Sequence, residues 1–163
     1  MARKVKPADT PAGDAYEAAV RYLAGRPHTV AEIHRHLRSK KFDAETIDRA
    51  IDRLRAQRYV DDEAFARWWL EQRERFKPRG QRALRTELAQ KGVGRAVVDL
   101  ILGERAPDAD VEQARRALSR PLTRWADMPD AEKRRKIHTY LAARGFDYDT
   151  IDEVTRREVV EES

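Results

Sequence analysis

An all-α chain of three tandem three-helix repeats, laid out as an elongated, curved array, is the fold that this 163-residue sequence predicts. Three observations carry that expectation. One spaced set of apolar residues is written three times along the chain. Glycine and proline number only seven each, too few for the many turns of a β fold. Charged residues make up 39% of the chain with both signs interspersed, the composition of long solvated helices.

The repeated set reads Ile33, Leu37, Phe42, Ile47 and Ile51 in the first copy. The second is Leu84, Leu88, Val93, Val98 and Leu102, and the third is Ile137, Leu141, Phe146, Ile151 and Thr155, with apolar Val154 beside it. Four-residue steps at either end place each pair on one face of a helix, and the five-residue step between Leu37 and Phe42 must hold a turn. Gly92 and Gly145 precede the apolar residue of that turn, where a left-handed helix end is expected; Lys41 stands there in the first copy and fits the corner less well. Asp43 and Asp147 fall where an N-cap is needed, and Gly94 substitutes for them. "TVAE" at 29–32 has the form of a capping box.

A further helix precedes each pair. The pattern predicts these over 15–24, 61–76 and 109–119, the second capped by Asp61 or Asp62 and separated from its successor by Pro78. The repeats are expected at 15–59, 60–106 and 107–160, with tails at 1–14 and 161–163. One unit of about fifty residues buries too little surface to be stable alone, whereas a row of them lets neighbours cover one another.

The chain has no cysteine, so disulfides and thiolate metal sites are excluded. His34 and His36 lie two apart on a predicted helix and point to opposite sides, which prevents joint chelation; all four histidines read as ordinary surface residues. "DYDTIDE" at 147–153 lacks the glycine of a calcium loop and runs into a helix. No phosphate loop, nucleophile elbow or zinc-protease signature is present. The expectation is a protein with no catalytic residues, no metal and no cofactor, hence not an enzyme. No apolar run approaches membrane-spanning length and the N-terminus lacks the core of a signal peptide, which points to a cytoplasmic, monomeric protein without a membrane partner.

Net charge is +5, and segments 15–59, 60–106 and 107–163 carry +4, +2 and −2, so a polyanion-facing surface is expected in the front two-thirds. "RERFKPRGQRALR" at 73–85 concentrates six cations against one acid. Arg79, Arg82 and Arg85 recur every three residues, on the side away from Leu84 and Leu88, and read as an exposed stripe able to meet phosphates or acidic side chains. Arg67 lies opposite Phe65 and Trp69. The candidate contact residues are therefore Arg67, Arg73, Arg75, Lys77, Arg79, Arg82 and Arg85. Phe65, Trp69 and Phe76 share a helical face and read as core, whereas Trp68 and Trp125 fit either core or interface. "KRRK" at 133–136 wraps round its helix and forms no single face.

Together with the triplet, "YVDDEAFARWWLEQR" resembles the RecX family of bacterial RecA regulators over residues 15–159. Tyr59, Asp61, Asp62, Phe65, Ala66 and Arg73 are similar to that family's helix-opening signature. Gly80, Leu84, Leu88, Lys91 and Gly92 match its "G…L…EL..KG" segment, and Arg144, Gly145 and Phe146 its final "RGF". The resemblance implies a non-enzymatic modulator that lodges in the groove of the RecA–single-stranded DNA filament. There it would hinder ATP hydrolysis, strand exchange and support of repressor self-cleavage, so modulating recombination, DNA repair and the SOS response. Direct contact with single-stranded or duplex DNA is compatible with it. The alternative is a sequence-specific helix-turn-helix transcriptional regulator read from residues 29–63; a winged version would require a β-hairpin after Val60, where Asp61 and Asp62 predict a helix cap instead.

Overall fold

The computed structural model describes residues 11–160. They form nine helices and no strand: α1 (Pro11–Leu23), α2 (Val30–Ser39), α3 (Ala44–Ala56), α4 (Asp62–Phe76), α5 (Gln81–Gln90), α6 (Arg95–Gly103), α7 (Ala109–Arg124), α8 (Asp130–Ala142) and α9 (Tyr148–Val160). Residues 11–14, expected in a tail, already belong to α1; residues 1–10 and 161–163 lie outside the described part. Helix α7 runs five residues past its expected end. Pro121 lies inside its last turn without an amide to donate, and its ring is buried.

Helices α1–α3, α4–α6 and α7–α9 each enclose a core of their own. The repeated apolar positions supply it. Ile33, Leu37, Leu84, Leu88, Ile137 and Leu141 are fully buried, and Val60 closes the first core from the connection to α4. Burying each such side chain contributes about 1.5–3 kcal/mol. Phe42 is half-buried, and Thr155 turns its hydroxyl back onto the Ile151 carbonyl at 2.6 Å.

The caps follow the sequence. Thr29 and Glu32 form the reciprocal capping box, and Asp43 and Asp147 accept from the Thr46 and Thr150 amides, each at 2.8 Å. Asp61 caps α4 through the Glu63 and Ala64 amides, in the place where a winged fold would begin its hairpin. Lys41 adopts φ 70°, close to the 84° of Gly92 and Gly145. The corner geometry is thus shared by all three copies.

The two junctions between modules repeat one arrangement. At the first, the Thr29 hydroxyl donates to the Lys91 carbonyl at 2.6 Å, and the Val30 amide donates to Asp62 at 2.9 Å. At the second, the Gly80 amide donates to the Arg144 carbonyl at 3.0 Å, and the Gln81 amide donates to Asp110 at 2.9 Å. In each case the exposed N-terminus of one module's second helix is satisfied by the next module. An aspartate in the first turn of that module's leading helix takes one amide. The carbonyl at the end of its second helix takes the capping residue.

Close approach explains the glycines. A Cβ on Gly92 would overlap the Ala31 methyl, one on Gly145 would overlap Ala83, and one on Gly80 would overlap the Gly145–Phe146 peptide. Lys41 is exposed, with no module packed on its corner, so only the conformational cost of φ above zero applies there.

The first junction also holds a buried ionic cluster. Glu32 bonds Arg26 and Lys91, both at 3.1 Å, and His28 Nδ1 at 2.9 Å. Burial pushes the Glu32 carboxyl up, but the hydrogen bonds from Arg26, Lys91, His28 and the Thr29 amide outweigh it and hold the group at about 2. The surface reading of the histidines fails at this point. His28 is buried, and Tyr22 is sandwiched between the His28 and His36 rings at 3.7 and 4.0 Å. Burial lowers the pKa of both, and at His28 it outweighs the opposing hydrogen bond to Glu32.

Candidate nucleic-acid interface

The cationic site lies where the second and third modules meet. The end of α4, the outer face of α7 and the end of α8 enclose an open cleft of about 960 Å³. Six cations line it, Arg75, Lys77, Arg116, Arg120, Arg124 and Arg144, and no acidic residue does. Arg116, Arg120 and Arg124 stand four apart on α7 and so form one stripe. Among the described residues no carboxylate lies within ion-pair distance of the six.

Aromatic rings are interleaved with these cations. Phe76 is 69% exposed, with the Arg75 guanidinium 5.1 Å from its ring centre. The Arg144 guanidinium lies 3.3 Å from the Tyr140 ring centre and donates to the Tyr140 carbonyl at 3.0 Å. The core expectation for Phe76 is overturned. Helical spacing aligns it with Phe65 and Trp69, but the second core ends at Leu70 along α4 and Phe76 projects past it. Cations that track a phosphate chain beside an exposed ring for stacking are the elements of a single-strand binding groove.

The seven arginines and lysines expected from the sequence fall into separate groups: Arg75 with Lys77, Arg73 with Arg79 on Glu87, and Arg79 with Arg82 in a shallow groove at the Ala142–Gly145 corner, with Arg67 and Arg85 apart. Arg75 and Lys77 line the cleft. Arg67 pairs with Glu63 at 2.9 Å and with Glu104, contacts that hold its proton more tightly than usual and lower the Glu104 pKa. Arg73 donates to Glu87 at 2.8 Å beside the Trp69 indole N–H, which binds the same oxygen at 2.8 Å. Arg79 precedes α5 rather than belonging to it, is half-buried, and approaches Glu87 at 3.9 Å. Arg82 donates across the second junction to the Ala142 carbonyl at 2.9 Å. Arg85 pairs with Asp99 and lowers its pKa. No single stripe of Arg79, Arg82 and Arg85 exists.

Four of the six cleft cations belong to the third module, although its segment carries net negative charge. The 116, 120, 124 spacing was visible in the sequence and would have found three of them. Trp68 and Trp125 are both partly buried against their own module's core, the latter edge-on to Tyr140 at 5.7 Å. No helix among the described residues is long and apolar enough to cross a membrane.

Fold and site together define an all-helical tandem-repeat protein with a cationic cleft built across a module junction. Family models agree module by module: the first, second and third three-helix domains of RecX match residues 15–54, 61–102 and 108–155. The chain belongs to the RecX family. It is 34% identical to the regulatory protein RecX of Chlorobium phaeobacteroides (strain BS1) over 155 residues, covering 91% of this chain and 99% of the relative. Against the regulatory protein RecX of Chlorobaculum tepidum it is 38% identical over 150 residues, covering 91% of each. The crystal structure of RecX from Lactobacillus salivarius shares the fold, with a TM-score of 0.82 at 22% identity over 92% of this chain and 97% of that one.

Proposed function

We propose that this chain is a non-enzymatic regulator of RecA recombinase that binds the RecA–single-stranded DNA filament in the cytoplasm and restrains it. In this reading the monomeric row of modules lies in the filament groove and slows ATP hydrolysis, strand exchange and the filament's coprotease activity, thereby modulating recombination and the SOS response. Family membership supports the class of function. The observation that carries the contact is the cleft of six cations without a carboxylate, next to exposed Phe76.

Three modules in series suit a polymeric target, because weak contacts from linked units add through effective concentration. The contact set proposed is Arg75, Lys77, Arg116, Arg120, Arg124 and Arg144, with Phe76 as the stacking surface. Arg67, Arg73, Arg82 and Arg85 are engaged by partners within the protein and stand outside this set.

The test is RecA's single-stranded-DNA-dependent ATP hydrolysis with this protein titrated in at moderate salt, alongside binding to bare single strands and duplexes. Inhibition at protein well below the RecA concentration is expected. An unchanged ATPase rate together with tight binding to one duplex sequence would overturn the proposal in favour of a transcriptional regulator.

A further inference from the structure

The outer face of α8 carries a second hollow, of about 520 Å³, that adjoins the cationic cleft. Trp125, just past the end of α7, forms one side of it, and Glu132, Arg135, Lys136, Thr139 and Tyr140 form the other. Those five α8 positions follow one another at steps of three, one, three and one, which places them on a single helix face. Tyr140 also lines the cleft, so the two hollows share a wall.

The basic run at 133–136 is divided by this geometry. Lys133 is buried on the side of Ile137 and Leu141, towards the third core, and Arg134 is exposed on the far side of it. Arg135 and Lys136 are exposed and line the hollow. Among the described residues no carboxylate lies within ion-pair distance of either one. Glu132 is the one acid on the wall, which leaves the hollow net positive.

Trp125 and Tyr140 are half-buried, so part of each ring is open to solvent. Both pack against the third core, and they meet edge-on at 5.7 Å. Rings fixed by such packing lose little freedom when a planar ligand stacks on them.

We infer that this face is a second segment of a single-stranded nucleic-acid track. A strand leaving the cleft passes Tyr140, its phosphates meet Lys136 and Arg135, and a base stacks on Trp125. The inference rests on the single-strand reading of the cleft. Cations interleaved with partly open rings suit a ligand in which phosphates and bases alternate. From Glu132 to Tyr140 the helix face adds about 12 Å of track. Continuity through Tyr140 lets one strand fill both hollows, so the second segment gains from the effective concentration that the first supplies. An acidic peptide would pair with the cations without drawing on the rings.

The probes are fluorescent oligothymidylates of about 6 and about 16 nucleotides, within the span of single-strand sites, read by anisotropy. The shorter settles in the more cationic cleft, and the longer fills both segments. Arg135→Ala with Lys136→Ala should weaken binding of the longer oligomer about fivefold or more. Its log–log salt slope should become shallower by about 1.4, two contacts at about 0.7 each, while the shorter oligomer is unaffected. Arg134→Ala, which removes the neighbouring exposed arginine outside this face, should alter neither. The longer oligomer should also quench the tryptophan fluorescence of wild type more than that of Trp125→Phe, which separates stacking on this ring from any change at Trp68 and Trp69.

Equal affinity and slope for wild type and the Arg135/Lys136 variant would overturn the inference. If Arg116→Ala, Arg120→Ala and Arg124→Ala together still weakened both lengths, the cleft would then stand without its extension. Absence of binding to either oligomer by wild-type protein would remove the cleft reading and the extension with it. Binding of a polyglutamate peptide that depends on Arg135 and Lys136 as strongly as the longer oligomer does would replace the strand with an acidic protein partner.

Discussion

Gly80→Ala isolates the energy of a module junction. Gly80 caps α5 at φ −74° and ψ 161°, a conformation alanine adopts without strain. The added methyl would overlap the Gly145–Phe146 peptide, which belongs to a helix corner and cannot rotate away. The second and third modules must then separate. Three hydrogen bonds cross at this point, from the Gly80 amide to Arg144, from the Gln81 amide to Asp110, and from Arg82 to Ala142. At about 1 kcal/mol net for each, their loss costs about 2–4 kcal/mol. Gly94→Ala is the matched control. Gly94 caps α6 at φ −63° and ψ 147° and likewise makes no side-chain cap, but its Cβ would face open space. The shared N-cap penalty of about 0.5–1 kcal/mol therefore cancels in the difference. Urea unfolding followed by tryptophan fluorescence, with hydrogen exchange at the ends of α5 and α8, measures it. Since the cleft is built across the same junction, Gly80→Ala should also weaken single-strand binding. Equal destabilisation by the two substitutions would refute the reasoning.

Lys41→Gly relieves a left-handed lysine on an exposed corner and should stabilise the protein by about 0.5–1 kcal/mol, seen as a rise in Tm of a few degrees. Glu32 has its carboxyl lowered from the ordinary 4.5 to about 2, so its contribution is complete above 4.5 and is lost as pH falls towards 2. Glu32→Gln should accordingly be about 2–3 kcal/mol less stable than wild type at pH 7, with the gap closing by pH 2; a gap independent of pH in urea titrations would contradict this. Buried His28 titrates below its ordinary value and adds a second loss of stability in both proteins as pH drops below 6.5. Phe76→Ala should change stability by less than about 0.5 kcal/mol, as befits a surface position, yet weaken single-strand binding by about fivefold or more. A core residue would show the reverse pattern.

The architecture was legible because it is local. The 4-5-5-4 spacing of apolar residues, the capping aspartates and the corner glycines each report on fewer than twenty residues of chain, and tandem repetition states them three times. The role of Gly80 and Gly145 in docking the modules was not legible, because the atoms they accommodate belong to the neighbouring module. The partners of the charged side chains were not legible for the same reason. Arg67 meets Glu104, Arg85 meets Asp99 and Arg82 meets the Ala142 carbonyl through contacts that join distant stretches of sequence. A cationic stripe read on one helix says nothing of the acids that another helix brings to it. Phe76 obeyed the helical period, yet the core it should have joined stops one and a half turns earlier. Arg116, Arg120 and Arg124 were readable as a stripe and were obscured by the net negative charge of their segment.

The central claim, that the cleft is where this protein holds the DNA of its target, is tested most directly by the salt dependence of filament binding. Single-strand contacts release about 0.7 of a counterion per phosphate neutralised, so six engaged cations give a log–log slope of about −4. The triple variant Arg116→Ala, Arg120→Ala and Arg124→Ala should bind at least tenfold more weakly with a slope shallower by about 2, while Arg35→Ala, Arg38→Ala and Arg55→Ala, exposed positions on the first module, should change neither slope nor affinity beyond about twofold. Identical slopes and affinities for wild type and the cleft variant would contradict the account.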